Sequence, residues 1–284
     1  MLMSYGGTAF LMHENGVFGR NRNATRHWKN SWLNVLCAAI LAFMLLPRAQ
    51  ASESIVFCLE NADVRPWRTK DLGGLNIDLL NEVAKRLNLH FTYRGMPWKR
   101  CLAQLKANEL NGAIGASFKA ERIEMGAYPG GSKPDAAKRM NFDKYVVLRR
   151  KGSAVQWDGK NFFGVDGPVG IQLGYSIGDV LRKLGVTMDE TSHRARELAF
   201  KLTSGQVAAA AMLDGEASSL LTNDTNLASR LEVLPTPLVE KPYFVMFSHA
   251  FVAARPELAN RIWNAIEEVR NSAAYQAAER DALD

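Results

Sequence analysis

Apolar positions along the chain follow two alternating spacings, and this alternation predicts strands and helices in turn. The runs SIVFCL at 54–59, HFTYR at 90–94 and GAIGA at 112–116 are short and rich in β-forming or small apolar residues, which is typical of strands. Residues 73–89 and 98–110 instead carry apolar side chains at the three- and four-residue spacing of a helix. The order strand–helix–strand–helix–strand predicts a parallel α/β unit.

A similar order resumes after a polar, irregular segment at 132–145. Predicted strands lie at 145–152, 167–174, 206–213 and 241–251, and predicted helices lie at 175–185, 192–205, 215–221 and 256–278. The segments at 105–115 and 202–212 also share a pattern, in which a helix ends, a small or polar turn follows and a short apolar strand begins. We therefore expect one half-fold to be used twice, with a ligand cleft at the carboxyl ends of the strands of two lobes.

A basic leader with an apolar run precedes the first strand. Residues 1–51 carry five basic side chains and one acid, and the run Leu33–Leu46 is short for a membrane span. Ala49 and Ala51 provide the small residues that precede signal-peptidase cleavage, so residues 1–51 are predicted to be a signal peptide, with a start codon that could lie further along. The alternative is an N-terminal membrane anchor. Export would place the rest of the chain in the periplasm.

Charge and cysteine content narrow the classes further. The net charge is +6 for the whole chain, and most of it lies in the leader, so the remaining body offers no strongly basic surface to a nucleic acid. Cys58 and Cys101 are the cysteines that follow the leader. Both fall where the edges of a βαβ unit can meet, and an oxidising compartment permits a disulfide between them. The alternative is two small buried apolar side chains.

Signatures of catalysis are missing from the sequence. It contains no H-E-x-x-H zinc motif, no G-x-S-x-G nucleophile elbow and no P-loop, and its five histidines are scattered. We therefore expect no catalytic residue, no metal and no cofactor, and we look for residues that bind instead.

Two segments could hold an anion. Ser117 follows the predicted strand at 112–116 and could cap a helical turn, and Arg122 lies five residues further on. Its guanidinium has the planar fork that matches a carboxylate, or it could pair with Glu121 or Glu124 at the surface. If Arg122 binds a ligand, Lys119, Glu121 and Glu124 are expected to form a solvated face. Ser176 could cap the helix at 175–185, with Asp179 completing a capping box.

An acid and two tryptophans also end predicted strands. Asp214 follows the strand at 206–213 and could cap the next helix or take an ammonium group. Trp67 and Trp98 each lie beside a proline near a strand end. Their rings could cover an apolar or cationic group of a ligand, or they could pack in the core.

Four segments in this order resemble the family 3 periplasmic solute-binding proteins, the amino-acid-binding type that serves ABC importers. They are GGLNIDLLNEVAKRL, SFKAER followed by GAY, VGIQLGYS and GQVAAAAMLDGEASS, and the resemblance extends from Glu53 to Asp284. It implies an α/β, two-lobed periplasmic-binding-protein fold of type II, in which each lobe is a mainly parallel sheet flanked by helices. Residues 52–144 plus 243–284 would form lobe 1 and residues 145–242 lobe 2, with hinges near Tyr145 and Tyr243.

The resemblance also implies roles for individual residues. Arg122 would clamp the carboxylate of an amino acid, with help from Ser117 and Ser176. Asp214 would take its ammonium group, and Trp98 would line the side-chain pocket. Trp67 falls close to another lining position. The partners implied are a small-molecule ligand and the membrane permease of an importer, for a monomeric binding protein.

Several features depart from the family pattern. The segment Gly130–Arg139 is longer and more polar than the corresponding stretch of the family, Gly115 stands where a second hydroxyl is common, and Tyr175 is bulkier than the usual residue. Two alternatives therefore stay open: an enzyme of the same fold, such as a dehydratase of a cyclic acid with Glu216 and His193 as acid–base candidates, and an extracytoplasmic sensor or accessory protein without an importer.

Overall fold

Strands and helices alternate through residues 54–283, the part of the chain that the computed structural model describes. The strands are β1 (Ser54–Glu60), β2 (His90–Met96), β3 (Gly112–Ser117), β4 (Asn141–Arg150), β5 (Gln156–Trp157), β6 (Phe162–Phe163), β7 (Val169–Gln172), β8 (Met188–Ser192), β9 (Ala209–Leu213), β10 (Leu231–Val233) and β11 (Val239–Phe247). The helices are α1 (Leu75–Leu87), α2 (Trp98–Lys106), α3 (Gly178–Lys183), α4 (Ala195–Thr203), α5 (Asp214–Asn223), α6 (Thr225–Arg230), α7 (His249–Ala254), α8 (Pro256–Arg270) and α9 (Ala273–Leu283). The predicted leader, residues 1–51, lies outside the described residues.

One sheet of nine strands connects the two predicted halves of the fold. Its order is β2-β1-β3-β11-β4-β9-β7-β8, with β10 paired to β4, and β5 and β6 form a separate two-stranded ribbon. Pairs within β2-β1-β3 and within β9-β7-β8 are parallel, whereas β11 pairs with β3 and with β4 in antiparallel fashion. The expectation of mainly parallel sheets flanked by helices is confirmed. The predicted lobe boundaries fall inside β4 and β11 and stay a prediction.

The central strands are buried on both faces because helices cover the sheet. Every residue of β9 is buried, and three of its five residues are alanines, which leave room for the packed helices. Gly112 on β3 is needed for packing in the other half: a Cβ atom there would lie 2.7 Å from the ring of Phe57. Tight packing of this kind fixes β1 and β3 against each other.

The C-terminal segment is two helices where one long helix was predicted at 256–278. Helix α8 ends at Arg270, and α9 begins at Ala273. The hydroxyl of Ser272 accepts a hydrogen bond from the backbone N–H of Tyr275 at 3.3 Å and itself donates to the carbonyl of Val269 at 2.6 Å. A serine that bonds both helix ends locally competes with a continuous helix, which explains the break.

Cys58 and Cys101 are joined by a disulfide, as predicted. Cys58 lies on β1 and Cys101 on α2, and both side chains are fully buried. The bond therefore ties β1 to the helix that begins beside the candidate site. Among residues 54–283, no helix is long and apolar enough to cross a bilayer.

Candidate functional site

A small buried cavity lies where the carboxyl ends of β1, β3 and β9 meet. Its volume is about 20 Å³, room for about one water molecule. The residues that line it come from both halves of the sheet: Glu60, Arg68, Trp98, Ile114, Gly115, Ser117, Arg122, Tyr145, Tyr175, Leu213 and Tyr243. Open α/β sheets bind ligands at this edge. We call it the central cavity.

Arg122 lies in this cavity with its Nη atoms already bonded to backbone. The residue is 2% exposed and belongs to a short 3-10 turn, Ala120–Glu124. Its Nη1 donates to the carbonyl of Ser117 at 2.7 Å, and its Nη2 donates to the carbonyl of Gly174 at 2.8 Å. The guanidinium also lies over the ring of Trp98, 5.3 Å from the centroid. Arg122 thus links β3 to the loop after β7. Its role as the carboxylate clamp stays a prediction.

The hydroxyls of Ser117 and Ser176 meet across the same junction. They share a hydrogen bond of 2.7 Å, and the Nζ of Lys241 on β11 donates to the carbonyl of Ser176 at 3.0 Å. Both serines were expected to cap helical turns, and neither does. The N-cap positions of the turn and of α3 are instead Lys119 and Ile177, whose side chains cap neither element.

The structure places Trp98 in the cavity but puts Trp67 and Asp214 beside a neighbouring pocket. That pocket has a volume of about 450 Å³ and is lined in part by both residues. Asp214 begins α5 and forms an ion pair with Lys144, with 3.3 Å between Oδ2 and Nζ. The strand-end position facing the central cavity is Leu213 instead. The ligand-binding roles of Asp214 and Trp67 stay predictions.

One expectation about the surface around Arg122 is wrong for Lys119, whereas Glu121 and Glu124 are exposed. Lys119, Glu121 and Glu124 were expected to form a solvated face, but Lys119 is only 6% exposed. Its Nζ lies 2.6 Å from a carboxylate oxygen of Glu121 and 3.7 Å from one of Asp179, just inside α3. Burial follows because α3 packs over this turn, which the linear pattern of charges does not reveal.

A second guanidinium, that of Arg68, lies in the cavity among three buried carboxyl groups. Burial raises the pKa of Glu60 to about 7, although the positive charge of Arg68 opposes this shift. Burial likewise raises the pKa of Asp143 to about 7 and raises the pKa of Glu216. Burial alone would lower the pKa of Arg68, but Tyr175 and the three acids around it together raise it. A guanidinium and three carboxyl groups whose burial favours the protonated form are therefore held together in a site with almost no room for water.

Tyrosines and Glu216 complete the wall that the second half contributes. Oε1 of Glu216 accepts hydrogen bonds from Nε2 of Gln172 at 3.0 Å and from the hydroxyl of Tyr175 at 3.1 Å. The rings of Tyr145 and Tyr175 contact each other edge to face, with 6.5 Å between centroids. Buried acid–tyrosine–amide groups of this kind hold the wall rigid.

Sequence reasoning missed Glu60 and Arg68 although a signal for each was present. Glu60 ends an apolar strand in the way that Asp214 does, and Arg68 follows the noted Trp67 directly. What the pattern lacked was the turn between β1 and α1, which brings Arg68 back beside β3. The enzyme candidates are not brought together in an obvious site: Glu216 is buried, whereas His193 is exposed. No cluster of three or more His, Cys, Asp or Glu side chains placed to hold a metal occurs among residues 54–283.

Comparisons with known proteins identify the family. The family model described as bacterial extracellular solute-binding proteins, family 3, matches residues 61–282. No curated protein sequence gives a match.

Solved structures match over most of their own length. The ligand-binding core of GluR0 from Nostoc punctiforme, in complex with L-glutamate, is 16% identical, with a TM-score of 0.61 over 81% of this chain and 99% of that one. The arginine-, lysine-, histidine-binding protein ArtJ from Geobacillus stearothermophilus is 21% identical, with a TM-score of 0.62 over 81% and 95%. A histidine kinase sensor domain similar to periplasmic binding proteins is 14% identical, with a TM-score of 0.65 over 82% and 96%. At these identities the matches establish the shared fold.

Proposed function

The chain belongs to the bacterial extracellular solute-binding proteins of family 3, and from this premise we propose that it captures an amino acid or a similar small zwitterion or carboxylate. The family consists of binding proteins rather than enzymes, so the mechanism is capture without chemical change. The observation that carries the proposal is the central cavity, where guanidinium and carboxyl groups from two halves of one sheet are buried together. A zwitterion offers both complementary charges, and burying charge is favourable only when partners are present.

The similar proteins support this class of ligand. The Nostoc punctiforme core is in complex with L-glutamate, and ArtJ binds arginine, lysine and histidine. These ligands differ in side chain but share a carboxylate and an ammonium group on one carbon atom. The shared part is what a common site would recognise, and the residues that face the side chain would differ among proteins.

Capture requires the two halves to separate and close. A cavity of about 20 Å³ has no room for an amino acid. Contacts that hold the halves together beside the cavity include the Arg122 bond to Gly174, the bond between Ser117 and Ser176, and the ion pair of Lys119 with Asp179. We take lobe 1 as 52–144 plus 243–284 and lobe 2 as 145–242. Closure would then bend β4 and β11 near Tyr145 and Tyr243.

A ligand screen tests the proposal. The protein, expressed from its full sequence and purified, is heated with amino acids, organic acids and polyamines in turn. A ligand at a hundred times its Kd stabilises the folded state by about 2.7 kcal/mol, which raises Tm by roughly 5–10 °C for a chain of this size. A shift with at least one zwitterion is expected, and mass spectrometry should recover that ligand unchanged. Turnover of the ligand, or no shift with any zwitterion, would count against capture.

Delivery to an ABC importer is the downstream role we propose, after export to the periplasm through the signal peptide at 1–51. The match to a histidine kinase sensor domain gives a second candidate, signalling without transport. Uptake of the labelled ligand by cells with and without the protein separates the two. Loss of uptake supports the importer role, whereas unchanged uptake with a lost transcriptional response supports the sensor.

A further inference from the structure

The pocket that Trp67 and Asp214 border lies outside the central cavity and shares no lining residue with it. Its volume is about 450 Å³, within the range of small-molecule sites. One wall comes from the end of the segment Gly130–Arg139, and another comes from the break between α8 and α9. We call it the α8–α9 pocket.

The polar segment Gly130–Arg139 is fixed against α8 by specific contacts. Lys138 forms an ion pair with Glu267 on α8. Nη1 of Arg270 donates to two backbone carbonyls of the segment, at 2.8 and 2.5 Å. Arg270 is 7% exposed, so these bonds are largely shielded from water. The segment therefore forms an ordered wall of the pocket.

This wall brings two guanidiniums together, those of Arg139 and Arg270, which we call the arginine pair. Nη1 of Arg139 donates to the carbonyl of Ala136 at 2.9 Å, and its Nε is buried without an acceptor. Nη2 of Arg270 donates to Oδ1 of Asn271 at 3.0 Å. Across residues 54–283, no carboxylate forms an ion pair with either guanidinium. Burial lowers the pKa of Arg270, and the charge of Arg139 lowers it further. An anion between the two would relieve this repulsion.

Acids also line the pocket, but most of them belong to its other end, on β4, β11 and α5. There Lys144 forms an ion pair with Asp214 at 3.3 Å and lies opposite Glu240 in the β4–β11 register. Burial raises the pKa of Asp143 to about 7, so this group carries little negative charge in mildly acidic solution. Glu279 is the lining acid that interacts electrostatically with the arginine pair. Two guanidiniums against one carboxylate leave this end of the pocket positive.

We propose that the α8–α9 pocket binds a small organic anion, whose carboxylate or phosphate group lies between Arg139 and Arg270 and whose apolar body lies against Phe142. Guanidinium groups match the oxygens of both kinds of anion. The Phe142 ring is 38% exposed and lies 4.2 Å from the Arg139 guanidinium, so the arginine pair and an apolar surface are adjacent. The inference goes beyond the proposed function, because it places a second ligand outside the central cavity.

Probes that share one ring and differ in charge test the proposal: benzoate, phenyl phosphate, benzyl alcohol and benzylamine. Titration calorimetry on the purified protein at about 0.15 M salt, where surface charges are screened, gives Kd for each. The variants are Arg139→Met, which removes one guanidinium, and Glu279→Gln, which removes the competing acid. Arg280→Met is the matched control, because Arg280 is exposed on α9 and does not line the pocket.

Wild type and the Arg280 control should bind benzoate or phenyl phosphate with a Kd on the order of 1 mM or tighter, and should bind the alcohol and the amine at least about 10-fold more weakly. Arg139→Met should weaken anion binding by about 10-fold or more and leave the alcohol unaffected, because a charge-assisted hydrogen bond is lost. Glu279→Gln should tighten anion binding. The anion that binds more tightly identifies whether the group recognised is a carboxylate or a phosphate.

Equal affinity for benzyl alcohol, tighter binding of benzylamine, or no binding of either anion would overturn the proposal. So would anion binding that is lost in Arg122→Met and kept in Arg139→Met, because the anion would then lie in the central cavity. Where Arg139→Met does not fold, a crystal structure of wild type with phenyl phosphate decides. A phosphate within hydrogen-bonding distance of Arg139 or Arg270 supports the site, and its absence there overturns it. These titrations use no amino acid, so failure of this proposal leaves the proposed function standing, and the reverse holds too.

Discussion

The start of α5 approaches the turn after β1 so closely that one methyl group should change ligand affinity. A Cβ atom on Gly215 would lie 2.3 Å from the carbonyl oxygen of Arg65 and 3.0 Å from its backbone nitrogen. Carbon and oxygen atoms in ordinary contact are about 3.4 Å apart, so Gly215→Ala must separate these segments by about 1 Å. The atoms opposite are backbone, which has no rotamer to relieve the contact. Overpacking of this size costs about 1–3 kcal/mol.

Where this cost appears depends on whether the contact forms on closure. Gly215 lies in the predicted lobe 2 and Arg65 in lobe 1, so we expect the open form to tolerate the methyl group and the closed, liganded form to carry the penalty. The Kd of Gly215→Ala should rise by about 5- to 150-fold, with little change in the Tm of the ligand-free protein.

Isothermal titration with the ligand found by the screen measures the effect, and small-angle scattering reports whether the liganded protein still becomes more compact. Gly167→Ala is the matched control, because the nearest atom to its added Cβ is 3.8 Å away and its backbone is unstrained. Unchanged affinity in Gly215→Ala would refute closure through this contact. A clear drop in the Tm of the ligand-free variant, alongside the weaker affinity, would show that the contact is present with or without ligand.

Two further predictions concern stability. Because burial raises the pKa of Glu60 and of Asp143 to about 7, the folded chain holds protons that the unfolded chain releases above about pH 4, and the free energy of unfolding should fall as pH rises from about 4 to 7. The loss of free energy of unfolding is about 3–4 kcal/mol for either group taken singly. Urea unfolding at pH 5 and pH 8 should show this loss in wild type and a smaller one in Glu60→Gln or Asp143→Asn. If both variants lose as much stability with pH as wild type, the prediction is wrong. Reducing the bond between Cys58 and Cys101, which are 43 residues apart, should lower the free energy of unfolding by up to about 4 kcal/mol through loop entropy. Denaturation with and without dithiothreitol measures this, and the Cys58→Ala/Cys101→Ala double variant should not respond to the reductant.

Local patterns were sufficient for most of the elements. The alternating strand and helix periodicities correspond to β1, α1, β2, α2 and β3 in order. Each element either lies in the sheet or covers it, so its apolar spacing must match the face that it buries. Elements whose ends are set by single side chains were harder to predict. The break at Ser272 depends on which backbone groups its hydroxyl reaches, and the short α3 begins after Ser176 because that hydroxyl bonds to Ser117 instead.

Periodicity and strand ends, which are local properties of the sequence, determined the α/β class and the candidates Arg122, Ser117, Ser176 and Trp98, which the structure brings to one junction. The resemblance of four segments indicated the family, and the disulfide was one of two alternatives until the structure showed it. Only the tertiary structure decided that a second guanidinium joins Arg122 in the cavity: the turn after β1 returns Arg68 to a position beside Gly115, while Arg122 donates to carbonyls of two distant segments. Asp214 was drawn instead to Lys144, outside the central cavity. Hydrogen-bond saturation and burial depend on contacts between residues far apart in the chain, and no spacing along the sequence encodes them.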